Sequence, residues 1–174
     1  MPDDQIQREL EFKQCSLDNL ERFSELFEKC FDTPVGPRYF NWKYRENPTG
    51  DLVAFEAVHK GKSIASYGVI PETYLVHGNP MRVWQSMDTM THPDYQRRGL
   101  FITLAKKTFS HLATIDPTFV IVGIPGPASY PGFVNKLGWK DIHSYRMIFL
   151  HQSMHAVTKR LRTPPRLTFR RVRE

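Results

Sequence analysis

The spacing of apolar and polar residues changes along the chain, and these changes predict where strands and helices lie. Residues 9–15 alternate between the two kinds, which is typical of a strand. The next segment repeats apolar residues every three to four positions and follows Ser16, so we expect an amphipathic helix with Ser16 as its N-cap. A second short helix is expected over residues 38–45, before the Asn47-Pro48 breaker.

Three β-rich segments follow these two helices. They cover residues 52–59, 64–76 and 81–91, and the turn sequences at 60–62 (KGK) and 78–80 (GNP) separate them. Tight turns between extended segments predict an antiparallel meander.

The second half of the chain predicts two further helices and three strands. Apolar residues recur at helical spacing over 101–112, whereas residues 119–124 do not alternate, as expected of a strand buried on both faces. The Gly/Pro-rich loop over 125–131 opens a short helix that ends at Leu137-Gly138. The last two predicted strands cover residues 139–142 and 145–150. The order β-α-α-β-β-β-α-β-α-β-β describes an α/β fold, with a mixed sheet and helices on both faces.

The length of 174 residues and the hydrophobic fraction of 40% suit one domain, which we expect over residues 1–150. Residues 151–174 form a basic tail or linker, and Pro164-Pro165 also fits an interrupted continuation of a longer protein. The net charge of +6 lies in this tail, because residues 1–157 contain 17 basic and 17 acidic residues. Binding to nucleic acid is therefore expected only through the tail.

Other classes of protein and site are not supported by the sequence. No run approaches 18 apolar residues, so no membrane span is predicted, and the acidic N-terminus is not typical of a signal peptide. Cys15 and Cys30 are expected to be free thiols of a cytoplasmic protein. His151 and His155 have helical metal-ligand spacing but no neighbouring carboxylate or cysteine, so no metal site is predicted.

A candidate anion site lies between a predicted strand and a predicted helix. The first amides of a helix lack intrahelical partners and carry the positive end of its dipole, so they attract a diphosphate. Two arginines add charged donors, and a glycine lets the backbone approach the ligand. The alternative is an ordinary helix start with two solvated arginines. The segment reads Gln96-Arg97-Arg98-Gly99-Leu100-Phe101.

Two motifs carry a resemblance to a known family. Residues 91–101 (THPDYQRRGLF) resemble the central motif of the GNAT superfamily of N-acetyltransferases, and residues 135–139 (NKLGW) are similar to its second signature. The resemblance implies an acyl-CoA N-acyltransferase fold with acetyl-CoA as co-substrate and no metal. It places the diphosphate on the amides of residues 96–101 and pantetheine on the backbone of Thr89, Met90 and Thr91. Phe101 replaces the usual small final residue of the motif, so its ring must point away from the cofactor.

Acyl transfer to an amine requires a base, a donor to the thioester carbonyl and an acid for the thiolate. The acid of the resembling family is a tyrosine at the position of Val134, and Tyr130 is the nearest phenol. Tyr130 is thus the candidate acid, with a loop tyrosine at the cavity edge as the alternative. Asp88 is the candidate base or water-ordering group, and Glu72 is a second candidate.

The acceptor is expected to be a small-molecule primary amine, acylated by direct transfer. It would enter between the first two helices and the loop over 125–131. Tyr39, Trp42 and Tyr44 are candidates for stacking on an amino sugar or a nucleotide-linked sugar, although Phe40 and Trp42 also fit core anchors. A protein N-terminus or a lysine is the second acceptor class. Val134 favours the alternative of a non-catalytic CoA-binding domain, and both a monomer and a homodimer fit the sequence.

Overall fold

A computed structural model of the protein describes residues 6–18, 20–50 and 52–142. The strand predicted over 145–150, the two candidate metal-spaced histidines and the basic tail lie outside these residues. Within the described residues, no helix is both long and apolar enough to cross a membrane. Cys15 and Cys30 are free thiols, as predicted.

The described elements follow the predicted order as far as α4. The strands are β1 (Glu11–Gln14), β2 (Val53–His59), β3 (Lys62–Val76), β4 (Asn79–Thr91) and β5 (Ile121–Gly123). The α-helices are α1 (Glu21–Phe31), α2 (Pro37–Phe40), α3 (Leu100–Ile115) and α4 (Tyr130–Leu137). A π-helical turn (Asn41–Arg45) continues α2, and a 3-10 turn (Pro93–Tyr95) follows β4.

The five strands form one mixed sheet in the order β1-β2-β3-β4-β5. The pairs from β1 to β4 are antiparallel, whereas β4 and β5 are parallel. The predicted meander is confirmed, and its turns contain Gly61 and Gly78 with φ of +76° and +81°. Glycine adopts this left-handed region without the steric cost of a Cβ atom.

Helices cover both faces of the sheet, as predicted. Tyr67 and Val69 of β3 pack on the α3 side, and Ile70 points to the opposite face, because successive side chains alternate along a strand. The buried residues Leu104 and Leu112 anchor α3. On the other face, α1, α2 and the π-helical turn supply a second core of Leu20, Phe23, Leu26, Phe40 and Tyr44. Each such buried side chain stabilises the fold by about 1.5–3 kcal/mol.

The predicted start of the first helix was wrong. Helix α1 begins at Glu21, and Leu20 at its N-cap makes no side-chain capping bond. The Ser16 hydroxyl donates to the Asp18 carboxylate and accepts a bond from the Asp18 amide. Ser16 therefore closes a local turn before the helix. A serine side chain bonds a backbone amide two residues away as readily as it bonds an amide at the start of a helix.

Two strand predictions also needed correction. Residues 139–142 do not form a strand, because α4 ends at Gly138 in the left-handed region and the Trp139 amide donates to Phe133 O. The Trp139 ring instead packs on Phe133, with the ring centroids 4.5 Å apart. Strand β5 is present, but its three residues are only partly buried. The prediction of a strand buried on both faces was therefore wrong.

Candidate active site

Strands β4 and β5 stay paired for only three residues. The parallel pairs are Trp84 with Ile121, Gln85 with Val122 and Ser86 with Gly123. Strand β5 ends there, whereas β4 continues for five more residues. The edge of β4 beyond Ser86 therefore borders an opening whose closed end is the Ser86–Gly123 pair.

A β-bulge interrupts β4 beside this opening. Gly68 of β3 pairs with Met87, and Ser66 pairs with Met90, so Asp88 and Thr89 together lie opposite Tyr67. Asp88 has a φ of +45°, a left-handed conformation that is uncommon for residues other than glycine. Bulges of this kind re-aim a side chain and are frequent next to active sites.

The Asp88 carboxylate is directed at the π-helical turn. Its Oδ2 lies 2.5 Å from Lys43 Nζ and also accepts a hydrogen bond from the Tyr44 hydroxyl. Burial, and then the negative charge of Asp88, raise the pKa of Tyr44 well above its ordinary value. Tyr44 therefore remains a protonated donor, and Asp88 is held in one orientation by a cation and a phenol.

The predicted anion-binding turn lies at the start of α3. Gly99 is the N-cap, with a φ of +73°, and Arg97 is also left-handed at +62°. The first intrahelical bond runs from the Thr103 amide to Gly99 O at 3.0 Å. The amides of residues 100–102 precede that bond, so they are available to a ligand at the positive end of the helix dipole.

A cavity of about 710 Å³ joins the opening to this turn. Its wall contains the end of α1, β4 from Ser86, the start of α3, the loop over 124–129 and one face of α4. This volume falls in the usual range for small-molecule sites. The predicted site residues in the wall are Asp88, Thr89, Thr91, Gln96, Arg97, Gly99, Leu100 and Phe101.

Two of the predicted cofactor-binding residues, Met90 and Arg98, are not in the cavity wall. Met90 is 1% exposed and packs in the core on the α1 side. Since the His92 amide donates to Ile64 O, the backbone groups of Met90 face β3, and those of Thr91 face the opening. The Arg98 guanidinium lies 5.9 Å from the centroid of the Tyr95 ring.

The two remaining catalytic candidates also lie outside the wall. Tyr130 is the first residue of α4 and is 38% exposed. Glu72 pairs with Val83, on the hairpin side of the strand pairs that close the opening. Of the predicted catalytic residues, the structure brings Asp88 alone to the cavity among the residues that it describes.

Among the aromatic residues over 39–44, Phe40 is 0% exposed and is a core anchor, as predicted, but the other rings do not follow a single predicted alternative. Tyr44 is 1% exposed and packs beside Phe40, so its ring has no free face for a substrate, whereas Trp42 is 62% exposed and is no core anchor. Residues four apart share a helical face and residues two apart do not. Tyr39 lies partly exposed beside Trp42, with ring centroids 5.8 Å apart, and Lys43 Nζ lies 5.5 Å from the Tyr39 ring. None of these aromatic rings lines the cavity.

Several wall residues were missed by the sequence reasoning. Cys30, at the end of α1, has its pKa raised by burial, and the Thr91 backbone partly offsets that rise. Ser86 lines the closed end, and Lys136 lines the cavity from α4. The signature over residues 135–139 was a signal for Lys136, whereas no local pattern marks Cys30 or Ser86.

The comparison with known families agrees with this geometry. A family model described as an acetyltransferase (GNAT) domain matches residues 11–142. The chain belongs to the GNAT acetyltransferase family. No curated protein is significantly similar to it in sequence.

Solved structures of GNAT acetyltransferases share the fold of the chain. An acetyltransferase from Trypanosoma brucei has a TM-score of 0.63 at 18% identity, over 81% of this chain and 99% of that one. A predicted acetyltransferase from Clostridium acetobutylicum, solved with acetyl-CoA, has a TM-score of 0.63 at 16% identity, over 83% and 99%. Glucosamine-6-phosphate N-acetyltransferase from Arabidopsis thaliana has a TM-score of 0.63 at 13% identity, over 82% and 99%. The predicted fold class is therefore confirmed.

Proposed function

We propose that the chain is an acetyl-CoA-dependent N-acetyltransferase that acylates a primary amine by direct transfer. The observation that carries this proposal is the continuous cavity between the free edge of β4 and the first amides of α3. An elongated cofactor with a diphosphate at one end and an amide-containing arm at the other matches both parts of that cavity.

The cofactor would be bound mainly through backbone groups. The amides of residues 100–102 and the Arg97 side chain would hold the diphosphate. The pantetheine arm would pair with the backbone of Thr89 and Thr91, both of which line the cavity. Lys136 adds a second cation to the wall, and no carboxylate of the described residues forms an ion pair with it or with Arg97. An anionic ligand would supply the negative charge that pairs with these two cations.

Transfer would take place near the bulge of β4. The neutral amine attacks the thioester carbonyl carbon, the C–N bond forms, the C–S bond breaks, and the proton lost by the amine passes to the CoA thiolate. Asp88 would receive or relay the amine proton, directly or through an ordered water. Asp88 binds the ammonium group of Lys43. The ammonium group of an acceptor would make the same contact before it loses its proton.

An amino sugar or a nucleotide-linked sugar is the proposed acceptor class. Tyr39 and Trp42 present partly exposed rings, and Lys43 connects them with Asp88. Aromatic rings with a free face suit the apolar face of a sugar. The fold likeness to the plant glucosamine-6-phosphate enzyme agrees with this choice of class. A protein N-terminus or a lysine side chain is the second class.

The test is release of CoA thiol from acetyl-CoA over a panel of amines. The panel contains glucosamine 6-phosphate, free glucosamine, a nucleotide-linked amino sugar and a peptide with a free N-terminus. We expect amine-dependent thiol release, fastest with a sugar amine. Fastest release with the peptide would overturn the sugar acceptor class but not the proposed N-acetyl transfer.

A non-catalytic CoA-binding domain is the second candidate function. Val134 has no proton to donate, and Tyr130 lies outside the cavity wall, so neither provides an acid at the cavity. Thermal stabilisation by CoA without thiol release on any amine would favour this function. Neither stabilisation nor release would overturn both functions.

A further inference from the structure

Tyr67 places a phenol in the interior beneath the closed end of the opening. Its side chain is 0% exposed, and its ring lies among Phe101, Phe109 and Phe133. The hydroxyl makes no hydrogen bond of ordinary geometry with any described residue, and the polar side chain that acts on it is that of Ser86. A buried polar group without a good partner destabilises a fold, so its presence calls for an explanation in function.

Ser86 connects this phenol with the cavity. It belongs to the last pair between β4 and β5, and it is buried yet lines the cavity wall. Opposite it, a Cβ atom at Gly123 would lie 3.4 Å from Ser86 Cβ. The same Cβ atom would lie 3.1 Å from the Trp139 ring, so the glycine makes room for that ring beside Ser86, and the cavity reaches Ser86 from the opening.

The path of the cofactor brings its reactive end to this place. The arm starts at the diphosphate turn, beyond Thr91, and follows the free edge of β4 towards Ser86. Five residues of strand between these two positions span roughly 16 Å. Because the strands are joined at Ser86, an arm that runs along the edge ends there with its sulfur.

We propose that Ser86 donates a hydrogen bond to the sulfur of CoA as it leaves, and that Tyr67 positions the Ser86 hydroxyl by donating to its oxygen. This inference rests on the proposed function. When the C–S bond breaks, the electron pair stays on sulfur, and a donor at that atom stabilises the thiolate until it takes up the amine proton. Ser86 is thus a catalytic residue, and Tyr67 is a positioning residue.

The surroundings of the two hydroxyls favour these roles. Burial raises the pKa of Tyr67, and Ser86 offsets only part of that rise, so the phenol keeps its proton and remains a donor. Among the described residues, Tyr95 is the phenol in the cavity wall, and its hydroxyl lies 2.7 Å from His59 Nδ1, which is already its hydrogen-bond partner.

The test compares the binding of CoA and acetyl-CoA over a range of pH, and it needs no amine substrate. The full chain is titrated by calorimetry with each ligand between pH 7 and a pH above the pKa of the CoA thiol. In the wild type, the affinity for CoA relative to acetyl-CoA rises about tenfold or more as the thiol ionises, the usual effect of a hydrogen bond to a charged atom. Acetyl-CoA has no free thiol, so it corrects for the other titratable groups that face the ligand. These groups are Cys30, Asp88 with Lys43, Tyr95, Arg97 and Lys136.

Two variants and one control decide the outcome. Ser86→Ala and Tyr67→Phe lose most of the pH-dependent rise but bind acetyl-CoA as the wild type does. Tyr67→Phe also keeps or raises the melting temperature, because it removes only a poorly partnered hydroxyl. The control is Tyr74→Phe, which removes a phenol from the β3–β4 hairpin, outside the cavity wall.

The possible failures are distinguishable. If both variants bind acetyl-CoA and keep the full pH-dependent rise for CoA, the donor role of Ser86 and Tyr67 is overturned and the proposed function stands. If the wild type binds neither ligand, the proposed function itself fails. In an active preparation, kcat falls in both variants without a change in KM for acetyl-CoA.

Discussion

Phe101 occupies the space that a side chain at Gly132 would need. A Cβ atom at Gly132 would lie 2.5 Å from Phe101 Cε1. The Phe101 ring lies between helices α3 and α4, with its centroid 4.9 Å from that of Phe133 and 5.9 Å from that of Tyr67. Packing with these two rings is the arrangement expected for a large residue at the end of the motif, and the glycine of α4 makes room for it.

Replacement of this glycine tests the fit. Gly132→Ala should destabilise the protein by about 1–3 kcal/mol, because overpacking costs that much and three packed rings leave little room for the Phe101 ring to move. The same change in an open helical position would stabilise the helix instead. The free energy of unfolding in urea measures the difference.

The control for this prediction is a double-mutant cycle with Phe101→Ala. Removal of the ring should abolish the cost of Gly132→Ala, so that the two effects are strongly non-additive. Additive effects would show that the alanine is accommodated without the Phe101 ring.

Asp88 is the residue of the bulge whose replacement should affect turnover most. Asp88→Asn keeps the side-chain shape and tolerates the left-handed backbone, but it removes the charge that pairs with Lys43. Turnover should fall about 100-fold or more if the carboxylate moves the amine proton. Steady-state kinetics should show this fall in kcat while acetyl-CoA affinity is unchanged.

Asp32→Asn is the matched control for the Asp88 variant. Asp32 is also left-handed, with a φ of +49°, and lies at the exposed C-cap of α1 outside the cavity wall. Its replacement should leave turnover unchanged. Full turnover by Asp88→Asn would exclude the proton-transfer role.

Cys30 provides a native probe of the cofactor site. Acetyl-CoA should slow its alkylation, because Cys30 lines the cavity and lies at the Thr91 backbone, where the pantetheine arm would bind. Mass spectrometry after iodoacetamide treatment measures the rate at each cysteine. Cys15, which is outside the cavity, should react slowly with or without ligand, and an unchanged rate at Cys30 under saturating acetyl-CoA would contradict the proposed path of the arm.

The alkaline limit of stability should depend on Cys15. Burial, and then the charge of Glu56, raise the pKa of the Cys15 thiol far above its ordinary value. A raised pKa in the folded state means that the stabilisation is complete below the unfolded pKa, about 8.5, and is lost as the pH rises above it. Between pH 8 and 10 the free energy of unfolding should fall by about 1–2 kcal/mol less in Cys15→Ala than in the wild type. Equal losses in urea unfolding at the two pH values would refute this.

The sequence predicted the elements that depend on local chemistry. Gly61 and Gly78 marked the turns of the meander because each adopts a left-handed conformation. The helical spacing over 101–112 and the motif before it located the start of α3, and the candidate anion site there is built from the backbone of consecutive residues.

Features that depend on strand register were not predictable in this way. The bulge at Asp88 is defined by its pairing with β3, and the role of Ser86 follows from the point at which β5 ends. Tyr44, a stacking candidate, is buried, and Trp42, an alternative core anchor, is exposed, because the apolar content of the segment does not reveal which residues share the face of Phe40. Ser16 failed as a cap because the same serine also satisfies a turn.

Binding of acetyl-CoA at the start of α3 is tested most directly by paired calorimetric titrations with acetyl-CoA and acetyl-pantetheine. The two ligands share the thioester and the arm, but acetyl-pantetheine lacks the diphosphate. We predict that acetyl-CoA binds with a stoichiometry of about one per chain, and that acetyl-pantetheine binds about 100-fold more weakly, because it loses the charge-assisted bonds to residues 100–102 and Arg97. Equal affinities, or no binding of acetyl-CoA, would contradict the assignment of this cavity to the cofactor.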